Sequence, residues 1–238
     1  MEKRLGKDQK GPIFSLTGAQ LKLYAMLAMF IDHAAVVFIE PQLLLPTGLS
    51  STILGLLYLF LRAIGRIAFP IFCFLLIEGF VHTRSVKAYA GRLTLLAFLS
   101  ELPFDLALSR QVLDWSHQNV FFTLVAALLA LVAIDQDRLP WFKILGPLAL
   151  MLIAQLGQFD YGYFGVALVV LLYLSRHNRF YQALVGTLAS IWEGLGVVIA
   201  YFLIYQYNGE KGRANTRWLY FLYPAHLLLY AGLRHLLL

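Results

Sequence analysis

Asp32 and His33 stand side by side in an apolar run. A carboxylate next to an imidazole can hold one tautomer and make the ring a better base. Adjacent positions on a helix point about 100° apart, so each side chain can also find other partners. The alternative reading is a polar pair that only locks two helices together. Arg62 and Arg66 have i, i+4 spacing and could offer two guanidinium groups to one anion or acyl donor; pairing with Asp32 or Glu78 is the rival use. Glu78 and His82 repeat that spacing, with Gly79 between them to admit a close neighbour, and form a second acid–base candidate.

Ser100-Glu101-Leu102-Pro103-Phe104-Asp105 closes another apolar run. Pro103 disfavours helical geometry at the residue before it, so Glu101 and Asp105 are expected at a kinked mouth, holding an incoming amine or capping helix ends. Asn119, Asp160 and Tyr161 fall at the same edge of the bundle; the tyrosine is equally suited to an interfacial anchor. His226, after Tyr223-Pro224, lies inside the last apolar run and is read either as a packing residue or as a further catalyst. Arg84, Lys87, Arg92, Arg176, Arg179, Lys211 and Arg213 fall at the opposite edge, as a phosphate-attracting rim or as orientation signals. HxxxH and HExxH spacings are absent and Cys73 is alone in an apolar run, so no metal site is expected.

These residues must be positioned by lipid-facing helices. Apolar residues make up 60% of the 238 and charged residues 13%, with a mean hydropathy of +0.72. That pattern calls for an all-α polytopic bundle in a membrane, as one domain over residues 1–238. Each charge near the bilayer centre costs roughly 2.5–3.5 kcal/mol and needs a reason to be there. The 19 Lys plus Arg against 13 Asp plus Glu sit in short links, which reads as orientation and not as nucleic-acid binding.

A crossing takes roughly 20 helical residues. Leu21 to Ile39 is the first run, uncleaved and preceded by a basic cytoplasmic segment, 1–20. From Ile53 to Val81 a short slanted helix, a break near Gly65 to Pro70 and a full span are expected. Further spans run from about Ala90 to Leu108, Val120 to Ile134, Phe142 to Leu156, Tyr163 to Leu174 and Trp218 to Leu237. The positive-inside rule is satisfied only if Phe180 to Tyr207 folds as a hairpin turning near Glu193. The expectation is eight to ten helices, about nine crossings, some short or broken.

The chain resembles the TraX-like conjugal-transfer pilin acetylases in Ile31-Asp32-His33, Gly65-Arg66-Ile67-Ala68-Phe69-Pro70-Ile71-Phe72, Glu78-Gly79-Phe80, Ser100-Glu101-Leu102-Pro103-Phe104-Asp105, Asp160-Tyr161-Gly162, Tyr207-Asn208-Gly209 and Tyr223-Pro224-Ala225-His226-Leu227. That family is similar in turn to membrane acyltransferases that use cytosolic acyl-coenzyme A. The resemblance implies acetyl-CoA as donor, a place in the bacterial inner membrane with the N-terminus in the cytoplasm, and an acceptor protein, glycan or lipid, a pilin-like N-terminus among the candidates.

Under that implication, His33, oriented by Asp32 or Glu78, takes the acceptor's proton, and Arg66, with Arg62 or a tyrosine, stabilises the developing charge. Arg62, Arg84, Lys87, Arg92, Lys211 and Arg213 would meet the donor, and Glu101, Asp105, Asn119, Asp160 and Tyr161 the acceptor. His82 and His226 remain further candidates, with a covalent acetyl-histidine as a variant. The rival from another class is a proton-coupled transporter that uses the same Asp, Glu, His and Arg groups as a relay.

Overall fold

A computed structural model describes residues 14–43, 48–136, 139–213 and 218–237. Most of the basic segment 1–20, together with Arg138 and Arg217, lies outside the described residues.

Those residues form ten helices joined by turns. They are α1 (Gly18–Leu43), α2 (Gly48–Gly65), α3 (Ala68–His82), α4 (Val86–Phe104) and α5 (Val120–Asp135), then α6 (Phe142–Leu156), α7 (Gly162–Leu174), α8 (Arg179–Ser190), α9 (Leu195–Tyr205) and α10 (Leu219–Leu237). Gly18–Leu43 and Thr52–His82, the latter through a turn at Arg66 and Ile67, are long and apolar enough to cross a membrane. Val120–Asp135, Phe142–Leu156, Gly162–Leu174 and Leu195–Tyr205 are apolar but shorter. Two helices, not eight to ten, therefore meet the length and apolarity of a crossing by themselves.

Helix α3 is the centre of the bundle and packs on α1, α5, α7 and α9. Its Ile71, Cys73, Phe74 and Ile77 are fully buried, so the lone cysteine is a core residue. Helices α5, α6 and α7 pack on one another, and α4 lies between α5 and α10. Large apolar side chains cover the exterior, among them Leu56, Phe60, Phe98, Ile144, Leu156 and Leu195.

The start of α1 is tied to the end of α9. Leu16 N–H donates to the Gln206 carbonyl (2.9 Å) and Asn208 N–H to the Leu16 carbonyl (2.9 Å). Gly18 and Ala19, at the first turn, donate to the carbonyls of Glu210 (2.8 Å) and Lys211 (2.9 Å), which satisfies amides a helix start leaves open. Thr17 and Gln20 complete a capping box.

Three departures from a regular helix shape the site. Helix α1 loosens into a π turn at Ala35–Ile39, directly after Asp32-His33. Helix α4 runs through Pro103 to Phe104, and a second π turn follows at Asp105–Ser109, ended by Arg110 at φ 60°. The helix therefore continues through Pro103 instead of ending before it, and the chain leaves helical geometry at Arg110. Such π turns gather at functional sites. The third is the hairpin of α8 and α9, which reverses through a single turn of 3-10 helix at Ile191–Glu193.

Candidate functional site

His33 Nδ1 lies 2.7 Å from Nε2 of His226, and the two rings are parallel to within 2°. On its other side His226 Nδ1 lies 2.7 Å from the Leu222 carbonyl. A carbonyl only accepts, so Nδ1 of His226 carries the proton, and in the neutral ring Nε2 is then an acceptor. His33 must donate to it from Nδ1, which leaves the lone pair of His33 on Nε2. One backbone carbonyl on α10 thereby sets the tautomer of a ring on α1. His226, rather than the Asp32 or Glu78 expected from the sequence, therefore holds the His33 tautomer.

Asp32 is engaged elsewhere. Its Oδ2 accepts from Arg62 Nη1 at 2.6 Å, joining α1 to α2. Its Oδ1 rests against Gly65, where any Cβ would overlap the carboxylate. Arg66, one turn on, pairs with Glu193 at 2.7 Å and hydrogen-bonds Tyr161. The two arginines therefore neutralise two separate carboxylates and do not converge on one anion. Glu193 reaches Arg66 because the hairpin touches α2 so closely that a Cβ at Gly196 would meet the Ala63 carbonyl.

Asp160 and Tyr161 lie in the turn before α7. Tyr161 takes φ 62° and stacks on Phe69 with ring centroids 3.6 Å apart. The Asp160 carbonyl accepts from the Thr123 hydroxyl, and its carboxylate faces His117 Nε2 at 3.6 Å. His117 belongs to the loop between α4 and α5. Hydrogen bonding to Asp160, opposed by partial burial, raises its pKa above the ordinary histidine value of 6.5. A short backbone pairing of Gln118 with Phe159 holds the two loops together.

Other expected site residues have structural employment. Asn119 caps α5 through the Phe121 amide (3.0 Å), and its amide group donates to Glu101 and to the Ala97 carbonyl (2.8 Å). Asp105 is 1% exposed and accepts from the Asp114 amide (2.9 Å), so it fixes the loop and does not face an incoming amine. Glu78 is 12 residues beyond Arg66, about 18 Å along a helix, and is removed from His33. It hydrogen-bonds Tyr207 and senses Arg179, while His82 is exposed and bonds the Glu78 carbonyl (2.9 Å).

Arg62 belongs to the His33 end of the bundle. Arg84, Lys87, Arg92, Lys211 and Arg213 are exposed at the other end. Among the described residues no cluster of three His, Cys, Asp or Glu could hold a metal ion.

His117, Glu193 and Tyr223 are site neighbours that were not among the expected site residues. Glu193 carried the one available signal, a charge at a turn between two apolar runs. Tyr223 touches both histidines, at ring distances of 5.9 Å to His33 and 5.7 Å to His226. Polar groups from α1, α2, α7, α10 and the hairpin turn thus form one connected cluster, with a basic rim at the far end.

A family model described as TraX protein matches residues 17–234. The probable fimbrial assembly protein FimC, serogroup H1, of Dichelobacter nodosus is 28% identical over 243 residues, covering 88% of this chain and 92% of that protein. No solved structure is significantly similar.

Proposed function

Because this chain belongs to the TraX protein family, we propose that it is a multi-pass membrane acyltransferase that moves an acetyl group from cytosolic acetyl-CoA to an amine or hydroxyl acceptor. The observation that carries the reading is the ordered His33–His226 pair, set beside two carboxylate–arginine pairs at the end of the bundle opposite the basic rim.

His33 Nε2 takes the acceptor's proton as the acceptor nitrogen or oxygen bonds to the thioester carbon. The charge that develops on the carbonyl oxygen is met by Arg66 and the Tyr161 hydroxyl, which already share a hydrogen bond. Collapse breaks the carbon–sulfur bond, the thiolate leaves as CoA, and His33 returns the proton to it. The imidazolium formed in between is stabilised by donation from its Nδ1 to His226. Asp160 and Tyr161 border the acceptor's approach, with Glu101 and Asn119 holding that wall in place.

Bilayer insertion is supported by the apolar exterior and by the two helices of spanning length. The short α8 and α9 suit a re-entrant or full hairpin whose polar turn faces the cluster rather than lipid. The N-terminus is then cytoplasmic in a bacterial inner membrane, an orientation that the basic links favour. The fimbrial name of the Dichelobacter relative favours a pilin-like protein as acceptor. Mass spectrometry of membrane proteins, glycans and lipids from cells with and without the chain tests the proposal: it expects a one-acetyl mass shift on one acceptor, and its absence in all three classes contradicts it.

A further inference from the structure

The helices end at two different heights. Tyr161, just before α7, and Glu193, at the tip of the α8–α9 hairpin, both bond Arg66 in the turn between α2 and α3. Gly65, beside that turn, packs on Asp32 in the middle of α1. The outer ends of α7, α8 and α9 are therefore level with the middle of α1. Asn119, at the start of α5, bonds Glu101, and the pairing of Gln118 with Phe159 draws the α6–α7 turn to α5. Other helices run on past this level. Beyond Asp32 and His226, α1 and α10 continue for about three turns, roughly 16 Å, to Leu43 and Leu237. The chain of α4 goes on to Ser109, where Arg234 of α10 donates to the carbonyls of Leu106 (2.7 Å) and Ala107 (2.6 Å).

Helices α6 to α9, with 15, 13, 12 and 11 residues, reach only about 16–22 Å against a hydrocarbon core of about 30 Å. An undisturbed bilayer on that flank would cover their outer ends, yet exposed polar side chains stand there: His117, Gln155 and Gln158. The tryptophans sort in the same way. Trp141 and Trp218 are exposed at the basic end and Trp115 and Trp192 at the outer end, and tryptophan gathers at membrane–water boundaries. Thinning a bilayer costs little per ångström, whereas ionisable groups stranded in hydrocarbon are expensive.

We propose that the phospholipid bilayer is thinned against α6–α9 to the level of Arg66 and Asp160, and that the step up to α1, α2, α4 and α10 is a notch open to extracytoplasmic water. An acceptor then reaches Tyr161 and Arg66 through the notch without crossing hydrocarbon. The inference rests on the membrane acyltransferase reading and gives its acceptor a route.

The test reads tryptophan depth in the full chain reconstituted in phosphatidylcholine. One protein carries Trp115→Phe, Trp141→Phe and Trp218→Phe and reports Trp192; a second carries Trp115→Phe, Trp192→Phe and Trp218→Phe and reports Trp141. Both should be quenched about twofold or more strongly by lipid brominated near the headgroup than by lipid brominated near the chain ends. Two shallow tryptophans on so short a flank require a thinned bilayer. In spheroplasts an impermeant maleimide should label Trp192→Cys but not Leu188→Cys, one turn deeper on α8; Cys73 is fully buried and stays silent. Stronger quenching of either tryptophan from the chain ends, or an unlabelled Trp192→Cys, overturns the notch and leaves the acyltransferase reading standing. No quenching of either tryptophan by lipid removes both.

Discussion

Nε2 of His226 accepts from Nδ1 of His33 across 2.7 Å, although 193 residues separate the two in the chain. The bond makes α10 a functional partner of α1, because the ring that presents its lone pair is oriented by one that is itself fixed by the Leu222 carbonyl. His226→Ala should lower acetyl-CoA turnover by about 10²- to 10⁴-fold, the usual worth of a correctly placed general base. His226→Gln, whose amide oxygen can still accept from His33, should retain more activity than the alanine variant. Equal losses in the two would mean that His226 does not act by holding the His33 tautomer.

The contact of Gly65 with Asp32 gives a stability prediction. A methyl at 65 overlaps the carboxylate, so Gly65→Ala should cost about 1–3 kcal/mol and displace Asp32 from Arg62. Gly91→Ala, where the added Cβ meets nothing within 4 Å, should be neutral or stabilise its helix by about 0.5–1 kcal/mol. Thermal melting of both variants in detergent checks the contrast, which disappears if Asp32 is free to move.

The contact between His117 and Asp160 should depend on pH. The folded-state pKa of His117 is raised, so its contribution to stability is complete below the unfolded value of 6.5 and is lost as pH rises through the raised value. Half of the His117 side chain is exposed, which keeps the effect small. Melting temperatures across that range should show the wild type losing an advantage over His117→Gln as pH rises. A constant difference would argue against the pairing.

Topology offers a separate check. With α8 and α9 as a hairpin, the link that begins at Asn208 returns to the side of the N-terminus. A reporter fused after Asn208 should therefore read cytoplasmic, and an extracytoplasmic reading would rule out the hairpin.

Much of this architecture is legible in the sequence because apolar runs bounded by charges mark helices directly. Val120 to Ile134 and Phe142 to Leu156 differ from the observed helices by at most one residue. The Glu193 turn could be found because charge bookkeeping required a reversal there. The π turns after His33 and Phe104 could not, since the change in hydrogen-bond register leaves no compositional mark.

Pairings were less accessible than elements. Asp32, Arg62 and Arg66 stood out as costly charges, but which carboxylate meets which arginine depends on helix rotation, set by close approaches such as Gly65 on Asp32 and Gly196 on Ala63. Glu78 had the right chemistry at the wrong height on α3. His117 lay in a polar loop where nothing in its neighbours distinguished it, and Lys22, inside the first apolar run, finds its place against Tyr220 only in the structure.

Acetyl-CoA consumption by purified protein in nanodiscs, in the presence of a membrane extract that supplies acceptor, tests the central claim most directly. Wild-type protein should release free CoA, and His33→Ala, recovered with the same folded yield, should release none above background. Release at the wild-type rate by His33→Ala, or none by the wild type, would contradict the account.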